Sequence, residues 1–230
     1  FYMPNAVNTT RDFENMLNAL EIVPDVVQAK AGMSFKLGEY VSCKVFAPVM
    51  DSYEDLNNYS VVIKLTYGNN SFVFTGDAEK ISENEIISNG VDLKADVLKC
   101  GHHGSSGSSG ESFLDAVSPS FAIISCAKDN SYGHPHRETL NALNSRGITV
   151  LRTDELGTIT LESDGKNIIT GNGVIAVTEG VTESTTSAKV TRDVTYIGNK
   201  NSKKYHKVDC TSLPKETNRV YFLSEQEAVN

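Results

Sequence analysis

SVVIKLTYGNNSFVFTGD, residues Ser60 to Asp77, consists of two β-rich runs that meet at Gly68-Asn69-Asn70. Val, Ile, Thr, Tyr and Phe suit a pleated, half-buried strand, and Gly and Asn tolerate the positive φ of a tight turn. The stretch therefore predicts an antiparallel hairpin. Its second strand runs out into Gly76-Asp77, so the hairpin also delivers a carboxylate to the edge of whatever sheet it joins.

Downstream, a helical stretch from about Ala78 to Ser88 leads to the strand ADVLKC, the short helix ESFLDAV, the strand FAIISC and the helix HRETLNALNSRG, which Gly147 ends. TVLRT and GTITLES read as a closing strand pair. Upstream, YVSCKVFAP is a strand closed by Pro48, and FYMPN reads as the end of a strand running into a proline turn. TTRDFENMLNAL is an amphipathic helix, with Thr10 as N-cap and Phe13, Met16, Leu17 and Leu20 at helical spacing. Strands alternate with helices while hairpins also occur, which predicts an α/β layered architecture on a mixed sheet.

With 230 residues, 39% of them hydrophobic, the chain can bury a real core. A net charge of -8 argues against coating nucleic acid through the overall field, and leaves a local basic patch open. Cys43, Cys100, Cys126 and Cys210 are scattered without a CxxC pair, so they form no disulfide framework. No run reaches the roughly 18 apolar residues of a membrane span. The first residues carry no leader and read as a cut end, which says nothing of the parent protein. TEGVTESTTSAK, Thr178 to Lys189, is Ser/Thr-rich and reads as linker. The expected organisation is a domain over 1–177, a linker over 178–192 and a module over 193–230 that is too short for an ordinary core.

Asp77, His102, His103, Asp129, Asn130, His134 and His136 all fall just after predicted strands, where α/β sheets collect ligand and catalytic residues. Each also has a plainer reading. Asp77 could cap the following helix. His102 and His103 could be exposed and idle on a soft Gly/Ser loop. His134 and His136, around Pro135, could form a turn with His136 near a helix cap, where the macrodipole favours an anion. The exit from a buried strand favours function for the His pair, as do flanking Gly101 and Gly104, which let backbone approach a ligand closely.

A carboxylate and imidazoles on adjacent loops suit metal-dependent hydrolysis. Zinc, or manganese where oxygen donors are more numerous, takes such donors and makes a hydroxide nucleophile near neutral pH. Ser/His/Asp catalysis fits less well, because Ser105 lacks a G-x-S-x-G elbow and its loop reads as too mobile for a triad.

NNYSVVIKLTYGNNSFVFTGDAEK, ADVLKCGHHGSSGSS, FAIISCAKDNSYGHPHRETLNAL and VLRTDELGTITLESDG, in that order, resemble the metallo-β-lactamase-like domain of the competence protein ComEC and its free-standing hydrolase relatives. The likeness runs from Phe1 to about Asp164. It implies an αβ/βα sandwich, lacking its N-terminal part, with a metal site at one edge between two sheets. It further implies that Asp77 bridges two metals, that His103 is the late metal-ligand His, that His102 faces the substrate phosphate and that His134 is a further active-site residue. A dinuclear zinc or manganese centre, a phosphodiester substrate such as a DNA strand, and a place outside the cell or at its surface follow from the same likeness. The family's early H-x-H-x-D-H cluster has no counterpart, since no His precedes His102. The expectation is a chain that starts after that cluster and is inactive alone.

YIGNKNSKKYHKVDCTSLPKETNRVYFLSEQEAV resembles an Ada-type metal-binding module, with Cys210 in the place of its first cysteine and His206 nearby, but without the later cysteines. A strand-turn-helix remnant is the plainer alternative. Lys189, Arg192, Lys200, Lys203, Lys204 and Lys207, opposed only by Asp193, keep a second class of function open, a non-catalytic module that grips a polyanion or nucleic acid.

Overall fold

A computed structural model describes residues 1–171, Lys204 and four strands beyond residue 171. It divides into two compact units, Phe1–Gly180 and Val181–Asn230.

In the first unit the hairpin forms as its residues predict. β5 (Val62–Tyr67) and β6 (Asn70–Phe74) pair antiparallel, Tyr67 opposite Asn70, across the turn at Gly68-Asn69. Around it grows a seven-stranded sheet in the order β3-β4-β5-β6-β7-β8-β9. Its other members are β3 (Ser34–Leu37), β4 (Val41–Ala47), β7 (Val97–Lys99), β8 (Phe121–Ile124) and β9 (Thr149–Arg152). β3 to β6 run antiparallel and β6 to β9 parallel, so the sheet is mixed. Parallel neighbours need crossovers. The helices α2 (Lys80–Ser88), α3 (Glu111–Val117) and α4 (Arg137–Ser145) supply them.

Side chains alternate between the two faces of each strand. Val73, Leu98 and Ala122 enter the main core with Ile86 of α2, Phe113, Leu114 and Val117 of α3 and Leu143 of α4. Phe72, Val97, Phe121 and Ile123 occupy the alternate positions and pack with Leu161 and Ile168. Burying one Leu or Val of this kind contributes about 1.5–3 kcal/mol, so the helix-covered face is the main source of stability.

The expected pairing of TVLRT with GTITLES does not occur. β9 is the edge of the large sheet, and the one-turn helix α5 (Thr153–Leu156) then turns the chain away. β10 (Leu161–Ser163) pairs instead with β11 (Asn167–Thr170), which pairs with β12 (Ile175–Val177). The physical reason is burial: in this second sheet Leu161 and Ile168 cover apolar residues of the large one.

α1 (Arg11–Leu20) begins as expected, the Thr10 hydroxyl accepting from the Phe13 N–H, but its apolar side is only half-buried and Leu17 is exposed. β1 (Tyr2–Met3) pairs parallel with β2 (Val27–Gln28), and Tyr2 stacks on Phe35 with centroids 4.6 Å apart.

In the second unit β13 (Tyr196–Asn199) lies between β14 (Tyr205–Lys207) and β15 (Arg219–Phe222), all antiparallel. Arg219–Phe222 is thus a third strand of a small sheet. The expected linker over 178–192 and Cys210 lie outside the described residues.

Candidate active site

The parallel strands β6, β7 and β8 end at one edge of the large sheet, and Asp77, His102-His103 and Ser125 follow them. Local bonds fasten these exits together. The buried Thr75 hydroxyl donates to the Lys99 carbonyl (2.8 Å), His102 N–H donates to the Gly76 carbonyl (3.0 Å), and Asp77 N–H donates to the Ser60 hydroxyl (3.0 Å). Asp77 does not cap α2, whose N-cap position is Glu79. Its carboxylate is partly exposed and points at His103, with Oδ1 3.7 Å from Nε2.

His103 Nδ1 lies 2.7 Å from the Ser125 carbonyl. A carbonyl only accepts, so Nδ1 carries the proton and Nε2, on the Asp77 side, keeps a free lone pair. That is how a metal-ligating imidazole is usually oriented by its surroundings. His102 differs: its Nδ1 is buried without a hydrogen bond, 3.4 Å from Glu79 Oε1. The pair therefore has two surroundings, and both residues sit in the left-handed region at φ 47 and 56.

His134 completes the group, its ring centroid 5.5 Å from that of His102 and 6.4 Å from that of His103. Burial, and then the neighbouring His136, His102 and His103, push the His134 pKa below its ordinary value. His136 has a structural task. Its Nδ1 accepts from the Ser106 N–H (3.0 Å), which leaves the proton on Nε2, 3.2 Å from the Tyr132 carbonyl.

The Gly/Ser loop is not soft, contrary to its composition. Glu83 of α2, 1% exposed, accepts from the N–H groups of Ser109 (2.6 Å) and Gly110 (2.8 Å). The Ser108 hydroxyl donates to the Ala78 carbonyl (2.8 Å), and Thr139 donates to the Ser105 carbonyl (3.1 Å). Among the described residues Ser105 joins no triad, for a different reason than mobility: its Oγ accepts from the Gly107 N–H (3.2 Å), and the nearby His136 places Nδ1 3.0 Å from Ser106 Oγ and Nε2 on the Tyr132 carbonyl rather than on a carboxylate.

The flanking glycines also serve the protein rather than a ligand. A Cβ on Gly101 would meet Ser108 Cβ at 2.9 Å, and one on Gly104, at φ 87, would meet Pro135 Cβ at 2.6 Å. Gly104→Ala is accordingly expected to lower stability by about 2–4 kcal/mol, from left-handed strain and overpacking together. It should also displace Pro135 and the adjoining His134. Thermal melts and the His134 ring resonances check both effects; an unchanged melt would refute the close-packing account.

Three residues near the site escaped the sequence reading. Glu79 faces His102 and also accepts from Asn57 Nδ2 (3.3 Å). Glu83 clamps the loop, and burial pushes its pKa up to about 7 against the pull of the Gly110 and Ser109 amides. Lys99 donates to the Cys100 carbonyl (2.8 Å); burial lowers its pKa, while Cys100, Asp77 and Cys126 raise it. Two acidic residues six and two positions after Asp77 were the available signal for Glu83 and Glu79, but on an amphipathic helix it reads as ordinary surface charge.

Residues 52–128, which span the hairpin, Asp77 and both adjacent histidines, match the family model of the metallo-beta-lactamase superfamily. The architecture is the corresponding α/β fold, a mixed sheet with helices.

More particularly, the chain is similar to ComE operon protein 3 of Bacillus subtilis, 46% identical over 115 residues that make up 50% of this chain and 15% of that protein. It is also similar to the competence protein ComA of Neisseria gonorrhoeae, 38% identical over 106 residues, 46% of this chain and 15% of that one. The matched region thus spans a small part of these relatives. Among solved structures, a protein from Parabacteroides distasonis named as a metal-dependent hydrolase superposes with a TM-score of 0.40 at 15% identity, over 60% of this chain and 61% of that one. The comparisons lend no support to an Ada-type tail. Within the basic stretch 189–207 the Lys204 side chain is exposed, and most of the others lie outside the described residues.

Asp77 and His103 test whether a metal fits. Ligands each about 2.0–2.2 Å from one zinc lie about 3–4 Å from one another. The 3.7 Å separation suits one edge of such a shell. Among the described residues no set of three His, Cys, Asp or Glu side chains is arranged to hold a metal. No helix among them is long and apolar enough to cross a membrane.

Proposed function

We propose that this domain takes part in metal-dependent phosphodiester cleavage of DNA strands in competence, outside the cell or at its surface. The observation that carries the reading is the approach of Asp77 to His103 at 3.7 Å, with the Nε2 lone pair freed by the Ser125 carbonyl. Zinc and manganese both suit this donor pair. When bound, the metal supplies Lewis acidity for displacement at phosphorus. Asp77 and His103 hold it. His102 Nδ1 is buried on the Glu79 side, which leaves Nε2 as the atom to meet the substrate phosphate, and His134 lines the same edge. The similarity to competence proteins favours DNA over other phosphodiesters.

Two donors leave water unactivated, so the remaining ligands must come from polypeptide other than the described residues. Phe1–Asn230 alone, supplied with zinc or manganese, is expected to cleave neither bis(p-nitrophenyl) phosphate nor single-stranded or duplex DNA. The natural polypeptide that carries the domain is expected to cleave at least one of them. Cleavage by repurified Phe1–Asn230 would overturn the incomplete-shell argument, and its absence from the natural polypeptide would overturn the phosphodiesterase reading.

A further inference from the structure

Tyr132 is 77% exposed, yet it stands beside the site: its ring stacks on His134 at 5.6 Å and 20°, and His134 stacks on His103 at 6.4 Å and 18°. A single exposed aromatic is ordinarily unremarkable. Here the backbone on both sides of the ring is fixed. Asn130 Nδ2 donates to the carbonyls of Ala127 (2.9 Å) and His134 (2.6 Å), and its Oδ1 accepts from the His134 N–H (2.9 Å). The Tyr132 carbonyl itself accepts from His136 Nε2 at 3.2 Å. The loop is thus built to hold an aromatic ring in water next to the candidate metal ligands. A ring so held loses little conformational freedom when it binds.

Its surroundings say what it can bind. Lys128 and Arg137, toward the two ends of the loop, are exposed cations, but Asp129 and Glu138 stand next to them. Net attraction to a phosphate chain is therefore weak here, and a flat π-face is the selective feature. Bases of a single strand offer such faces, whereas those of a duplex are already stacked and paired. We propose that Tyr132 is a stacking platform for a nucleobase of single-stranded nucleic acid whose phosphodiester lies at the Asp77–His103 edge. The assignment rests on the phosphodiesterase reading and narrows its substrate to single strands, whose bases are free to stack. Tyrosine touches the base plane and not the sugar, so DNA and RNA strands should serve alike.

The chain contains no tryptophan, so Tyr132→Trp makes the platform the sole indole reporter in Phe1–Asn230. Oligo(dT) and oligo(U) are expected to quench its fluorescence by at least about a third, and an abasic strand of equal length and a blunt duplex to leave it unchanged. In anisotropy measurements with labelled oligo(dT), Tyr132→Ala should weaken binding about tenfold, as loss of one stacked base predicts, and Tyr132→Phe less than twofold. Equal quenching by the abasic strand, no quenching by any strand, or unchanged affinity in Tyr132→Ala would each overturn the platform. Cleavage assays on the natural polypeptide separate the two ideas: quenching without any phosphodiester cleavage refutes the phosphodiesterase reading and leaves the platform standing. Cleavage with Tyr132→Ala binding unaltered does the reverse.

Discussion

Asp77→Asn is expected to remove metal-dependent phosphodiester cleavage from the natural polypeptide by a hundredfold or more, together with much of its bound metal. The substitution keeps the side chain's shape and removes its charge, and a neutral amide is a poor donor to a divalent cation; loss of a group that merely orients a ligand already costs about 10–100-fold. His103 Nε2, 3.7 Å away, would be left without its charged neighbour. His102→Ala should behave differently. Its Nδ1 is turned toward Glu79 rather than Asp77, so turnover should fall while metal content is nearly unchanged. Elemental analysis alongside steady-state kinetics decides the matter. Equal metal loss in the two variants would show that His102 is itself a ligand and that the division of the histidines is wrong.

Glu83→Ala should be the most destabilising single change near the site without touching a proposed ligand. It strands the Ser109 and Gly110 amides, each of which costs about 1–3 kcal/mol when buried unpaired, so a loss of about 2–6 kcal/mol is expected. The cost should depend on pH with a definite sign. Burial raises the Glu83 pKa from 4.5 to about 7, so between those values the folded protein binds the proton more tightly than the unfolded chain does. Its stabilising contribution is then fully present below pH 4.5 and fades as the pH rises through 7. Glu83→Ala abolishes that slope, and the measured loss should be greater at pH 5 than at pH 8 by about 2 kcal/mol. Urea melts at the two pH values test it. A larger loss at pH 8 would mean that the two amides hold the carboxylate ionised and that they, rather than burial, dominate.

The same two residues separate what could be read in the chain from what could not. The Asp77 position was legible because a hairpin of β-branched and aromatic residues must end somewhere, and its end carries the carboxylate. Period-two alternation and the spacing of α2, α3 and α4 likewise dictate a mixed sheet with crossovers, since local preference and hydrophobic pattern agree there. Glu83 was not legible. A glutamate on a helix is nearly always solvated, and only the arrival of Ser109-Gly110 from 26 residues away in sequence makes it a buried acceptor.

The Gly/Ser loop shows the same limit from the other side. Its composition reports freedom of the isolated chain, whereas its order comes from Glu83, Ala78, His136 and Thr139, all distant from it in sequence. GTITLES is a strand by its own residues, but its partner was set by competition for buried area, which favoured a second sheet over a hairpin with β9. By itself, then, the sequence determined the elements, the strand exits and the identity of the polar residues placed there, because these depend on short-range sterics and periodicity. The tertiary structure decided which imidazole faces Asp77 and which faces Glu79, and that His136 clamps rather than serves the site. Those outcomes depend on hydrogen-bond partners that long-range packing alone brings into reach.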